Sequence, residues 1–446
     1  MVTRRNLKNF KEEAFVQDIA DTDWNEVYHA VDTNEKSQVF ERQFSAVLDQ
    51  HAPFKTFRVT RPPAPWLTQD IKDEMDKRDR YKNKFNQQRQ QNDKKEVTSQ
   101  TFSIYQGLRN KVTHMIRRAK INMFNEKINS KIKNPKSFHT ALKDTSVVDN
   151  KHINSSYPSG DPTTLNDCFL ANNNTEIDNS KIDKEIQDIL REQLPPSFRF
   201  QHVTENEIKK VIKSIKTNAC GVDKISAYFL KIAVEEISKP LADIVNSSFL
   251  QKIFPSRWKM ALVKPLPKIN IPMEPSDYRP ISLLPAVSKI MEKIAAKQMV
   301  EYLKSKSLLD THQSAYKQNH STVTALLNIT DDIYDALENT EVTLLILLDY
   351  SKAFDCANHR LIIAKLQKCG FHLDSLGWLE SYLSKRSQQV VGEEKSSAWK
   401  YMINGVPQGS ILGPLLFTIL ISDIKKEIKH GKYHLYADDT QLYYRC

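Results

Sequence analysis

Glycine is scarce in this chain, with ten in 446 residues, and no G-x-x-x-x-G-K-[ST] run occurs among them. The phosphate loop of ATPases, which needs glycines so that backbone N–H groups can close on a phosphate, is therefore excluded. Only five cysteines are present (Cys168, Cys220, Cys356, Cys369, Cys446), scattered and without a C-x-x-C pair. A disulfide framework or zinc knuckle has no basis, and reduced thiols are expected. Long apolar runs are missing too. The longest, Val342 to Leu348 and the Gly/Pro-interrupted Ile411 to Ile421, are too short for a membrane span. The N-terminus, MVTRRNLKNFKEEAF, is charged throughout and lacks the apolar centre of a signal peptide. An intracellular protein with no membrane association is expected, nucleus and cytoplasm being indistinguishable.

What is present is a core-forming composition, 40% hydrophobic and 27% charged, with a net charge of +11. At this length two or three folded units are expected. The charge is uneven: Ile71 to Thr140 holds 18 Lys/Arg against 7 Asp/Glu, while the remainder balances at 47 of each. A localised positive excess suits a surface facing a polyanion, although a charged segment is more often just a solvated helix.

Four regions follow from the pattern. Residues 1–65 read as helices and loops, closed by the proline stop RPPAPW, Arg61 to Trp66. Residues 66–143 form a basic helical region. One helix there runs from a Thr68 cap through Ile71, Met75 and Tyr81. A second carries Leu108, Val112, Met115 and Ile116 on one stripe, with Lys111, Arg117, Arg118 and Lys120 beside it as candidate nucleic-acid contacts. Residues 144–197 turn to Asn, Ser, Asp, Thr and Pro and read as a polar linker. Residues 198–446 form a denser domain, opened by a Thr204/Glu207 capping box and a helix with Ile208, Val211, Ile212 and Ile215 ending near Gly221. A helix over Ser321 to Asn339 is expected to bury Val323, Leu326, Leu327, Ile333, Tyr334 and Leu337, followed by a buried strand, Val342 to Leu348. Tyr433 to Tyr444 reads as strand, Asp438-Asp439 turn, strand.

Three carboxylates thus stand at the ends of two core strands: Asp349, and the Asp438-Asp439 pair 89 positions later. Nucleotidyl transfer needs such a set. Two Mg²⁺ ions about 3.5–4 Å apart activate the attacking hydroxyl and neutralise the leaving group, and Mg²⁺ takes oxygen ligands, few of them from protein. Alone, an Asp-Asp pair is as readily a solvated hairpin turn.

The order of the pieces is more specific. NACGVDKISAYFLK (Asn218 to Lys231), VKPLPK (Val263 to Lys268), DYRPISLLPAVSKIMEKI (Asp277 to Ile294) and HQSAYKQNHST (His312 to Thr322) come first. LLDYSKAFD (Leu347 to Asp355), GVPQGSILGPLLF (Gly405 to Phe417) and YADDTQLYY (Tyr436 to Tyr444) follow. This series, from about Phe198 onward, resembles the reverse transcriptase of LINE-type (non-LTR) retrotransposons. The resemblance implies an α+β fold: right-hand polymerase fingers and palm, an antiparallel palm sheet backed by helices, after a mostly helical basic N-terminal region. It implies an RNA-directed DNA polymerase that uses an RNA template, a DNA primer, deoxynucleoside triphosphates and two Mg²⁺ ions, with Mn²⁺ as a substitute.

Carried over residue by residue, the resemblance makes Asp349, Asp438 and Asp439 the catalytic, metal-binding carboxylates, with the Tyr350 carbonyl completing a metal shell. Lys268, Arg279, Tyr350, Ala353, Phe354, Gln408 and Gly409 become nucleotide contacts. Among them Phe354 is a gate against a 2′-hydroxyl, although by periodicity it is an ordinary core ring. Lys264 competes with Lys268 for the triphosphate, whereas Ser410, Leu412 and Pro414 are read as structural. Asp355 is expected to cap the HRLIIAKL helix. APWLTQDIKDEMDKRDRYKNKF resembles the stretch between endonuclease and polymerase in these elements. The family continues past YADD into a thumb, so a truncated chain is expected, and two functions stay open: the polymerase, or an inactive remnant that only binds nucleic acid. A viral RNA-dependent RNA polymerase fits poorly, because Phe354 would obstruct ribonucleotides.

Overall fold

The computed structural model describes residues 2–57, 66–90, 95–129, 161–171, 179–269, 271–392 and 395–446. The chain divides into two compact units, one of Met1–Arg4 with Lys55–Ser155 and one of Arg5–Phe54 with Ser156–Cys446. No described helix is long and apolar enough to cross a membrane. The five cysteines are free thiols.

In the smaller unit, α4 (Gln69–Gln90) and α5 (Lys95–Asn129) pack on each other. They are preceded in the chain by strands β1 (Val2–Arg5) and β2 (Phe54–Phe57) and helices α1 (Glu12–Ala20), α2 (Asn25–His29) and α3 (Thr33–His51). The expected apolar stripe holds: Ile71 and Val112 are buried, and Leu108, Met115 and Ile116 are half-buried. The proline stop, apart from Trp66, lies outside the described residues.

The larger unit is built on helices α6 (Pro162–Leu170), α7 (Asn179–Leu190), α8 (Glu205–Ser214), α9 (Ala227–Ile232) and α10 (Val234–Gln251). They are followed by α11 (Ala286–Ser305), α12 (Thr322–Glu338), α13 (His359–Lys368), α14 (Leu373–Leu383) and α15 (Leu412–Leu420). Its centre is aromatic. Trp378 on α14 meets Phe254 at 5.5 Å and Phe249 at 5.2 Å between ring centroids, both near-perpendicular. The Trp378 indole N–H donates to Ser248 Oγ at 2.8 Å, so its polar end is satisfied inside the core. Deleting such a ring costs about 3–5 kcal/mol. Residues 5–54 belong to this unit, where Phe15, Phe40 and Phe44 of α1 and α3 join the core beside Phe229. Glu41 ties the junction, accepting from Trp258 Nε1 at 2.7 Å and from Arg257 Nε at 2.8 Å.

Part of the region expected to be a linker is helical where it is described. In α6, Leu165, Phe169 and Leu170 are buried, Leu165 and Phe169 against Val263, Tyr278 and Val390, and Asn166 donates to Ser397 Oγ at 3.0 Å. Average polarity hid three apolar residues at helical spacing. The Thr204/Glu207 capping box forms, worth about 1 kcal/mol. Its helix stops at Ser214, before Gly221, since Ile215 turns to extended backbone.

Two sheets order the second half. A mixed sheet runs β4-β3-β6-β7, from β3 (Met260–Pro267), β4 (Tyr278–Leu283), β6 (Arg386–Val390) and β7 (Lys400–Met402), with β3 parallel to β6. An antiparallel sheet runs β5-β9-β8, from β5 (Thr343–Leu348), β8 (Lys432–Tyr436) and β9 (Asp439–Arg445). Here two expectations are corrected. β5 is a strand but not a buried one, for Leu344 to Leu348 are all 41–69% exposed. On α12 the buried residues are Ala325, Ile329 and Ala336, while Val323, Leu326, Leu327, Tyr334 and Leu337 are exposed and Ile333 is half-buried. The helix is turned by a polar latch. Asp332 accepts from Tyr443 Oη at 2.6 Å and Arg445 Nη2 at 3.0 Å and pairs with Lys432, and small side chains let the backbone approach closely.

Two outcomes follow. Exposed apolar edge strands recruit other strands, so Ile346→Lys is expected to lower self-association of the chain in light scattering. Asp223 has a solvent-shielded, unpartnered Oδ2, and burial first, then Glu41, pushes its carboxyl up from 3.8 to about 7. The folded state then holds a proton that the unfolded state has released, so stability falls as pH rises from about 4 to about 7. Asp223→Asn should flatten that fall in denaturant midpoints measured against pH, and an unchanged slope would refute the assignment.

Candidate active site

The carboxylates meet because of strand register. β5 and β9 pair from Thr343↔Arg445 to Leu348↔Thr440, so Asp349, the next residue, comes level with Asp439. The β8–β9 hairpin closes at Tyr436↔Asp439, leaving Ala437 and Asp438 as the turn. Asp439 therefore opens the second strand, one step beyond the expected Asp-Asp turn. Asp349 and Asp439 are exposed and Asp438 half-buried. Partial burial, then the charges of Asp438 and Asp349, hold the Asp439 carboxyl above its ordinary range. The three carboxylates share one field, which a cation would relieve. Among the described residues no three His, Cys, Asp or Glu side chains close around a single point as a finished cage. Oxygen-only, open and negative, the set fits Mg²⁺, which draws other ligands from substrate and water.

The segment after Asp349 runs as turns, with Tyr350 exposed and Ala353 half-buried. Phe354 is half-buried, stacked on Phe417 at 4.7 Å and edge-on to Tyr316 at 6.5 Å. The ring is thus both packed and partly open, as a gate would need. Asp355 does not cap the following helix. Asn358 does, accepting from the Arg360 and Leu361 amides at 2.9 and 3.1 Å. Asp355 instead accepts from Gln408 Nε2 at 3.0 Å, and burial raises its carboxyl pKa.

Gln408 and Gly409 lie against β4, where the Ser282 amide donates to the Gln408 carbonyl at 2.8 Å. Gly409 has φ +130°, and a Cβ there would sit 2.5 Å from the Ser282 carbonyl oxygen. Ser410 and Leu412 are structural as expected: Ser410 Oγ donates to Pro407 O at 2.9 Å and Leu412 is fully buried. In the β3–β4 hairpin Leu266 pairs with Arg279 and Lys264 with Ile281, so alternation puts Lys264 and Arg279 on one face, both exposed. Lys268 lies past the strand end with its ammonium donating to Ser276 O at 2.9 Å. Its charge is also felt at Asp355.

Of the basic-helix candidates, Arg117 and Arg118 are exposed. Lys111 pairs with Glu74 at 3.1 Å and Lys120 lies over the Trp66 ring at 4.8 Å, so both are already engaged within their unit.

Two residues escaped sequence reasoning. Tyr316 is near enough to Asp438 to feel its charge, and Gln313 hydrogen-bonds the Ala437 peptide at 3.0 and 3.3 Å. Both lie within HQSAYKQNHST, but neither type nor spacing marks them, because the contact is made across more than a hundred residues.

The carboxylates thus stand at one end of an antiparallel sheet within a mixed α+β chain. Residues 266–445 match the family model described as reverse transcriptase (RNA-dependent DNA polymerase). The chain is 33% identical over 273 residues, 58% of its length and 30% of the relative's, to the probable RNA-directed DNA polymerase from transposon BS of Drosophila melanogaster. Identity is 28% to the RNA-directed DNA polymerase from mobile element jockey of the same species, over 58% of this chain and 29% of that protein. It is 25% to the Pol polyprotein of type-1 retrotransposable element R2 of Popillia japonica, over 50% of this chain and 30% of that protein. Through residues 266–445 the chain is similar to the reverse transcriptases of non-LTR retrotransposons. It spans about 30% of the length of the curated relatives it matches.

Because Gly409 combines positive φ with a 2.5 Å approach to backbone, Gly409→Ala should displace the Gln408 segment and destabilise the fold by about 1–3 kcal/mol. Chemical denaturation checks this, and a neutral result would mean that the approach relaxes freely.

Proposed function

We propose that this chain carries the fingers and catalytic palm of an RNA-directed DNA polymerase, extending a primer 3′-hydroxyl with deoxynucleoside triphosphates on an RNA template. The observation that carries this reading is the strand register that brings Asp349 level with Asp439, beside Asp438, at the end of one antiparallel sheet. These carboxylates would hold Mg²⁺, which when bound lowers the pKa of the attacking hydroxyl and neutralises charge on the leaving pyrophosphate.

The chain's own residues supply the rest. Arg279, with Lys264 or Lys268, offers exposed positive charge for the triphosphate, a fork and a point charge suited to phosphate oxygens. Phe354, held between Phe417 and Tyr316, is fixed in position to stand under the sugar and oppose a 2′-hydroxyl. Asp355 braces Gln408, and Gly409 lets that segment lie close to β4, forming a floor for the nucleotide and template base. Arg117 and Arg118 present positive charge to nucleic-acid backbone in the helical unit.

Primer extension on an RNA template tests the proposal. Incorporation of deoxynucleotides over ribonucleotides is expected, falling by at least about 10²-fold in Asp438→Ala, a loss of the size that follows removal of a principal transition-state stabiliser. RNA binding without incorporation would support an inactive remnant instead, and equal use of ribonucleotides would remove Phe354 from its role.

A further inference from the structure

The hairpin that carries Asp438 contains an unlikely turn. Ala437 adopts φ +58°, a left-handed conformation that costs an alanine about 1 kcal/mol relative to glycine. Strained residues of this kind persist where their surroundings over-determine them. Besides the closing Tyr436↔Asp439 pair, one side chain holds it. Gln313 Oε1 accepts from the Ala437 amide at 3.0 Å, and Gln313 Nε2 donates to the Ala437 carbonyl at 3.3 Å. Both ends of the residue that precedes Asp438 are therefore fixed by a single amide group. Gln313 is itself only 4% exposed, and its Oε1 also accepts from the Ala315 amide at 2.9 Å.

The clamp is mounted on backbone. The His312–Ser314 segment lies parallel to β8, with the Leu435 amide donating to His312 O and the Ser314 amide donating to Leu435 O, each at 2.9 Å. Asp310 secures the same segment from below, accepting from Tyr433 Oη at 2.9 Å and from the His312 amide at 2.8 Å. A short amide with fixed donor and acceptor thus reaches the turn from a rigid neighbour. Only the glutamine and asparagine amides pair a carbonyl acceptor with an NH2 donor on one planar group, and asparagine is one methylene shorter.

We propose that Gln313 is the positioning residue of the polymerase site: it locks the Ala437 peptide in the left-handed conformation and so fixes the direction in which Asp438 presents its carboxylate. It touches neither substrate nor metal. This rests on the reading of Asp349, Asp438 and Asp439 as metal-binding carboxylates.

The test uses the full chain with Gln313→Ala and Gln313→Glu, and Asp438→Asn as the site reference. Glutamate keeps the acceptor and shape but cannot donate when ionised, so it remains informative if alanine fails to fold. Two readouts are taken, neither requiring turnover: amide exchange of the peptide spanning 434–442, and Mn²⁺ binding followed by electron paramagnetic resonance. Both Gln313 variants should exchange the hairpin amides faster while the β3–β4 hairpin keeps wild-type protection. Their Mn²⁺ affinity should drop by roughly ten- to a hundredfold, as for loss of a partner that orients a metal ligand. Wild-type exchange together with wild-type Mn²⁺ affinity in both variants would overturn the proposal, as would a uniform loss of protection across both hairpins. If wild type and Asp438→Asn bind Mn²⁺ alike, the metal reading fails instead, and hairpin exchange alone then decides the clamp.

Discussion

Like charges resist being brought together, and this domain is arranged around doing so three times. Asp349, Asp438 and Asp439 repel: desolvation raises the Asp439 carboxyl, and that repulsion adds to it. What holds them is the ladder of six residue pairs between β5 and β9, together with the five pairs of the β8–β9 hairpin. Backbone hydrogen bonds fix register regardless of side-chain charge, so the carboxylates are placed by geometry and not by mutual attraction. Any element that disturbs the register moves all three.

Around that sheet, polar side chains do the aligning. Asp332 turns α12 onto the sheet through Tyr443, Arg445 and Lys432, against the pull of the helix's own apolar stripe. Asp355 holds Gln408, while Gln313 holds Ala437. These contacts are directional, whereas an apolar contact in the same places would allow sliding. The aromatic rings around Trp378, by contrast, belong to the buried hydrophobic core. Stability and positioning are thus divided between different residues of the same unit.

The large apolar surface of β5 and the outer face of α12 shows where periodicity misleads. Val323, Leu326 and Leu327 follow a helical stripe, and the stripe correctly gave a helix. It could not say which face meets the sheet, since that depended on a latch from Asp332 to residues about a hundred positions away. The described part of the expected linker departs from its reading in a similar way. Polar composition averaged over 144–197 concealed Leu165, Phe169 and Leu170, which are buried in α6, two of them against residues of the mixed sheet.

By itself the chain's order of residues determined the helices with caps, the strand before Asp349, the hairpin at Asp438-Asp439 and the similarity to reverse transcriptases. Those are local, set by periodicity, turn chemistry and motif order. Tertiary structure alone decided the register that levels Asp349 with Asp439, and the use of Asp355 as a brace for Gln408 while Asn358 caps the helix. It also decided that Lys111 and Lys120 are engaged inside their unit while Arg117 and Arg118 are exposed. Each depends on which distant groups the fold delivers within contact range, about 3 Å for a hydrogen bond. Neither residue type nor spacing along the chain encodes that distance.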